Sequence, residues 1–177
     1  MFNRARRHKI LYLDGPRLHR ALMAGIGYVL SRQEYINKIN VFPVPDGDTG
    51  TNMALTLNAI IDNTAMEEYD SIKRLMSDTA DATLNAARGN SGAILAQFFE
   101  GMYESTEDAE KIDARAFAKM MEGGSIAARS ALEKPIEGTI ITVIHAFSMS
   151  LNSRVAKGEQ DISHLLHGSL NDTKTAL

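Results

Sequence analysis

The chain has 177 residues, 44% hydrophobic and 23% charged, with a formal net charge of −3. That length accommodates one large domain with its own core, and the near balance of charge shows neither the basic footprint of a nucleic-acid binder nor an acidic disordered tail. Cysteine is absent, which excludes disulfides, thiolate chemistry and zinc–thiolate sites.

The N-terminal charges are not followed by an apolar leader, and no run of about 18 apolar residues occurs. We therefore expect a cytoplasmic protein without a membrane span. Residues 1–9 form a basic tail carrying Arg4, Arg6, Arg7, His8 and Lys9. The tail is either solvated or a weak phosphate or partner contact. Residues 10–177 are expected to form a single domain.

Apolar spacing along that domain is helical, and hairpin signals are missing, so the expected fold is all-α. The first helix starts after Asp14, with Pro16 in its first turn, and aligns Leu18, Leu22, Ile26 and Val29 or Leu30. It ends near Ile36. After a loop, a second helix spans about 50–64 with Met53, Leu57, Ile60 and Ile61 inward. A third spans 71–87, repeating Ile72, Leu75, Met76, Thr79, Thr83 and Ala86 at three- and four-residue steps. A fourth runs from Ser91 to about Tyr103. Asp113 can cap a fifth, whose face of Gly124, Ala127, Ala128 and Ala131 permits close packing. Pro135 stops it. A sixth, 139–151, is apolar nearly all round and is expected to be central and enclosed, with His145 inside it. A seventh begins after Asp161. His164 and His167 on it are expected to be surface side chains without an acidic partner at helical spacing.

Three glycine-containing loops lie between these helices: PDGDTGTN at 45–52, ARGNSGA at 87–93 and KPIEGTI at 134–140. Short connections make successive helices antiparallel. The loops before helices two, four and six then share one end of an up-and-down bundle. Helix N-termini carry unpaired N–H groups and a partial positive charge, so three at one rim suit an anion. Asp46 and Asp48 suit a hard cation such as Mg²⁺, completed by phosphate oxygens and water. Thr49, Thr51 and Asn52 follow with further donors. The other reading makes Asp48 a plain N-cap. Likewise Asn90, Ser91 and Gly92 either receive a phosphate or form a helix start, and Thr139 either faces a nucleotide or caps its helix. The second loop has no GK[ST] and is not a Walker A loop.

The run INKINVFPVPDGDTGTNM (36–53), with ARGNSGAILAQFFEG (87–101) and KPIEGTIITV (134–143), closely resembles the nucleotide-binding domain of bacterial fatty acid kinase. That domain is related to the L subunit of dihydroxyacetone kinases. The resemblance covers roughly residues 10–177. It implies an antiparallel helical barrel or bundle of about seven to eight helices, with ATP or ADP held through Mg²⁺ at one rim. Carried over by position, Asp46 and Asp48 match metal-binding carboxylates. Asn40 stands where the dihydroxyacetone-kinase pattern has a further Asp, a weaker, uncharged ligand. Asn52, Ser91, Gly92 and Thr139 match positions facing nucleotide. Thr49 replaces a His typical of dihydroxyacetone-kinase L domains, favouring the fatty-acid branch. The implied activity is ATP-dependent phosphoryl transfer to a fatty acid presented by a carrier protein or fused carrier domain. Its alternatives are a dihydroxyacetone (glycerone) kinase L-type domain and a nucleotide sensor without turnover. No catalytic base is assigned. Relatives of that kinase continue beyond this domain, so the chain is consistent with a fragment of a longer protein.

Overall fold

The computed structural model describes residues 9–42 and 44–176. The basic run up to His8, Pro43 just ahead of the first motif loop, and Leu177 lie outside them. The described chain contains eight helices: α1 (Gly15–Ser31), α2 (Gln33–Ile39), α3 (Thr49–Thr64), α4 (Ile72–Ala86), α5 (Gly89–Glu104), α6 (Ala114–Ser130), α7 (Ile140–Ala156) and α8 (Ile162–Ala176). Two short strands, β1 (Leu13–Asp14) and β2 (Lys111–Ile112), pair antiparallel, Leu13 opposite Ile112. The expected all-α bundle is what the chain forms.

Local sequence sets several helix starts. Asp14 accepts a hydrogen bond from the Arg17 N–H at 2.9 Å, Asp113 from Ala116 at 2.8 Å, and Ser71 from Arg74 at 3.3 Å. Each side chain satisfies one of the donors that a helix start leaves open. Inside, Leu18, Ile26, Leu57, Ile60, Ile72, Leu75 and Met76 are buried as expected, while Leu22, Met53 and Ile61 are half-buried. Ile60, Ile72, Leu75, Leu151, Ile162 and Leu165 have essentially no exposed surface, each worth about 1.5–3 kcal/mol relative to full exposure. Buried threonines settle their hydroxyls locally: Thr64, Thr79 and Thr83 donate to carbonyls one turn back.

Successive helices pack on one another, and α5 is the hub, touching α3, α4 and α6. The small-residue face of α6 allows the closest of these approaches. A Cβ on Gly101 would meet the carbonyl of Gly123 and the Ala127 side chain, and one on Gly124 would lie 2.7 Å from Met102 Cγ. The helix expected to be central is not. α7 packs mainly against α6 and α8, touching α5 only near its start, and leaves Val143, His145 and Met149 exposed. Apolar composition all round it reflects exposed apolar side chains rather than enclosure.

The first helix also differs from expectation, because it breaks at Arg32 (φ −108°, ψ 6°). Residues beyond the break form α2, which lies across the start of α3. Tertiary contacts described below outweigh the propensity to continue.

The helix starts sort into two poles. At one, β1 meets β2, the Ile72 N–H donates to Ala109 (3.3 Å), the Ile162 N–H donates to Ile10 (2.8 Å), and Gly15 abuts the Tyr69 carbonyl. There α1, α4, α6 and α8 begin. The antiparallel alternation sends the starts of α3, α5 and α7 to the other pole.

Candidate functional site

At that second pole, α2 shapes the first motif loop. The amide oxygen of Asn40 accepts from the N–H groups of Asp48 and Thr49, each at 3.2 Å, and from the Thr49 hydroxyl at 2.9 Å. Its NH₂ group donates to the Val44 carbonyl at 2.8 Å. One turn earlier, Asn37 accepts from the Thr51 N–H at 3.1 Å and donates to the Thr51 hydroxyl at 3.0 Å. Gln33 also reaches that hydroxyl at 3.3 Å. A Cβ on Gly50 would run into the Gln33 carbonyl and sit 2.9 Å from Asn37 Oδ1, so glycine is what lets α2 lie this close.

The start of α3 is thus capped from another helix. Asp48 occupies the N-cap position yet makes no side-chain capping bond, so the plain N-cap reading of its carboxylate does not describe this structure. Asp46 and Asp48 are both exposed. Among the described residues no group of three or more His, Cys, Asp or Glu side chains gathers as a ready cation site.

The second loop lies directly against the first. Gly89 has φ 57°, and a Cβ there would be 2.5 Å from the Asn52 amide nitrogen. Thr56 joins the same contact: its hydroxyl donates to the Asn52 carbonyl (2.9 Å) and accepts from the Arg88 N–H (3.3 Å). Arg88, immediately before α5, supplies no side-chain cap. Arg88 and Asn90 are exposed and Ser91 is half-buried, leaving the first turn of α5 accessible to an anion.

The third loop is braced on its own side. Glu137 accepts from Arg129 at 2.8 Å and from the Thr142 hydroxyl at 2.6 Å, while Thr142 accepts from the Gly138 N–H at 2.9 Å. The hydrogen bonds from Thr142 and then Arg129 hold the Glu137 carboxyl below its ordinary pKa. Thr139 precedes α7 without capping it, its hydroxyl donating to the Ile136 carbonyl at 2.8 Å. A small buried cluster of Ile94, Ala128 and Ile141 ties the start of α7 to the first half of α5.

The candidate residues therefore divide. Asp46, Asp48, Asn52, Asn90 and Ser91 lie in two adjoining loops with surface available, and Thr139 lies at the same pole through the cluster. Four others are engaged elsewhere. Asn40, expected as a metal ligand, spends its amide oxygen on three protein donors, more than its two lone pairs accommodate well. Thr51, expected to face phosphate, turns its hydroxyl to α2. Gly92 is buried, and a Cβ there would lie 2.5 Å from Thr56 Oγ1; it serves packing between α3 and α5. The Thr49 hydroxyl likewise points to Asn40.

Sequence reasoning passed over Asn37, Gln33 and Thr56. A signal for the first existed: Asn37 in the last turn of α2 and Asn40 at its C-cap are three apart, just before the aspartate loop. His145, expected inside, is exposed, and His164 does have an acidic neighbour, Asp161, at 3.9 Å one turn earlier. A groove of about 420 Å³ between α3 and α4, bordered by Asn63, Asp78, Asp81 and Asn85, lies on the flank rather than between the motif loops. No described helix is long and apolar enough to cross a membrane.

Comparison with known proteins gives the family of the chain. The DAK2 domain matches residues 43–177, spanning all three loops. The chain is 34% identical over 165 residues to protein YloV of Bacillus subtilis, covering 93% of the chain and 30% of that protein. It is 37% identical over 134 residues to an uncharacterized protein of Staphylococcus saprophyticus, covering 74% and 24% respectively. A Staphylococcus aureus protein is 34% identical over 131 residues, again 74% and 24%. The chain spans less than a third of the length of these relatives.

Proposed function

Since the chain belongs to the DAK2 domain family, we propose that it is a nucleotide-binding domain that holds ATP or ADP with Mg²⁺ at the pole where α3, α5 and α7 begin. The observation that carries this is the capping of α3 by Asn37 and Asn40, which leaves the exposed carboxylates of Asp46 and Asp48 unspent beside the uncapped start of α5. Two carboxylates fit Mg²⁺, which keeps several waters and takes its remaining ligands from phosphate. Held by these carboxylates, the ion would neutralise phosphate charge and help orient the γ-phosphoryl group. The N–H groups of the first α5 turn, with Ser91 and Asn90, offer donors to phosphate oxygens, and Asn52 bridges the two loops. The backbone N–H groups at the start of α7 offer a third set of donors, the Thr139 hydroxyl itself being turned to the Ile136 carbonyl.

The acceptor is a fatty acid carboxylate presented by a carrier protein or fused carrier domain. Such a carboxylate is already ionised near neutral pH, so transfer needs positioning and charge neutralisation more than a general base. Thr49 at the position after the aspartate turn supports this branch of the resemblance. Ile39, Val41, Phe42 and Val44 are exposed next to the loop and supply an apolar surface beside the carboxylates. The second reading, transfer to dihydroxyacetone, keeps the same nucleotide site with a hydroxyl acceptor.

Calorimetry with Mg²⁺ and ADP tests the site. Asp46→Ala and Asp48→Ala should each weaken binding about tenfold or more, since each removes a charged ligand. Undiminished affinity in both would eliminate the metal role. For the acceptor, ATP consumption with a fatty-acid-loaded carrier but not with triose is expected; turnover with triose alone selects the second reading.

A further inference from the structure

We infer that Asn37 and Asn40 are positioning residues that cap α3 in place of Asp48, and that Asn40 is not a metal ligand. This deepens the proposed nucleotide site and rests on it. An Asp at a helix start ordinarily turns back to bond the N–H groups of the first turn. A carboxylate so occupied is held in the loop and partly neutralised. Here the Thr51 N–H, a donor that Asp48 would ordinarily serve, is met by Asn37, while Asn40 takes the two N–H groups just ahead of it, those of residues 48 and 49.

Both asparagines also donate, Asn40 to the Val44 carbonyl and Asn37 to the Thr51 hydroxyl. Each amide thus grips the loop with both of its ends. A carboxylate at either place could not do so, because it only accepts. The close approach at Gly50 fixes the distance from which they reach. The break at Arg32 turns α2 across the loop. Sequence, helix break and glycine contact therefore converge on one outcome, a preset loop with both aspartates pointing to solvent.

The test combines two readouts on the whole chain. In protein free of metal and nucleotide, amide hydrogen exchange is followed for Asn40→Ala, Asn37→Ala and Asn40→Asp, with exchange of core amides in α4 and α5 as the control for folding. Asn40→Ala should speed exchange at residues 48 and 49 about tenfold, and Asn37→Ala at residue 51, as expected for loss of a cap bond. Asn40→Asp keeps the accepting oxygen and should retain protection at residues 48 and 49. Calorimetry with Mg²⁺ and ADP should then show weaker binding in both alanine variants. Unchanged exchange at these amides would overturn the inference, as would faster exchange with undiminished affinity. Weak binding in Asn40→Ala with native exchange would instead make Asn40 a ligand. If the unsubstituted chain binds no Mg²⁺ and ADP, the proposed function fails and the positioning role with it, while the exchange data still report whether the caps exist.

Discussion

Gly50 shows how a single side chain decides the shape of this pole. The position admits no Cβ because the Gln33 carbonyl and the Asn37 amide already occupy that space. Gly50→Ala should cost about 1–3 kcal/mol, the usual range for overpacking, read as a lower denaturant midpoint. Asp46→Asn should instead leave unfolding free energy within about 0.5 kcal/mol, since its side chain is exposed. Stability and ligand affinity are thus separable here. Asp46 and Asp48 stand out in the sequence as two acids around Gly47, but spacing alone left metal binding and N-capping both open, and only the absence of a capping bond from Asp48 sets the second aside. The hydroxyls of Thr49 and Thr51 were misread because sequence spacing cannot show that α2 lies within bonding distance of them. The same holds for Gly92, where sequence spacing could not show that a Cβ would run into the Thr56 hydroxyl.

Among elements, caps and periodicity were the legible part. Asp14, Ser71 and Asp113 cap α1, α4 and α6 as their positions suggest. Asp113→Ala should destabilise by about 1 kcal/mol, measured by thermal or denaturant unfolding. The break between α1 and α2 was not legible, because Arg32 carries no helix-stopping chemistry and the turn is imposed by contacts 14 or more residues away. The placement of α7 failed for a related reason: composition reports which faces could be buried, and only neighbours decide which are. Tyr69 illustrates an element-level constraint at the opposite pole. It is buried between α1 and α4, its ring edge-on to His19 and its hydroxyl donating to Asp78 at 3.0 Å. Burial, then the bond to Asp78 and that carboxylate's charge, push its pKa far above the ordinary tyrosine value. The neutral form is therefore favoured in the folded state. The stability this contributes is fully present below about pH 10, the unfolded value, and is lost as pH rises toward the folded one. Tyr69→Phe should remove this alkaline loss, so unfolding free energy should fall less steeply above about pH 10 than in the unsubstituted chain.

For the whole molecule, an alternating bundle converts chain order into position. Three loops separated by about forty residues reach one pole because each precedes a helix of the same direction, and β1, β2 and the Ile10 to Ile162 contact gather the remaining starts at the other. That much followed from counting helices, since α2 is too short to reverse the parity. The central claim is that these starts act as one nucleotide site. Amide chemical-shift mapping during addition of Mg²⁺ and ADP tests it most directly. The account expects the largest shifts together at residues 46–52, 89–92 and 138–141, saturating with a single dissociation constant. Shifts concentrated along the groove by Asn63 and Asp81, or confined to one loop, would contradict it.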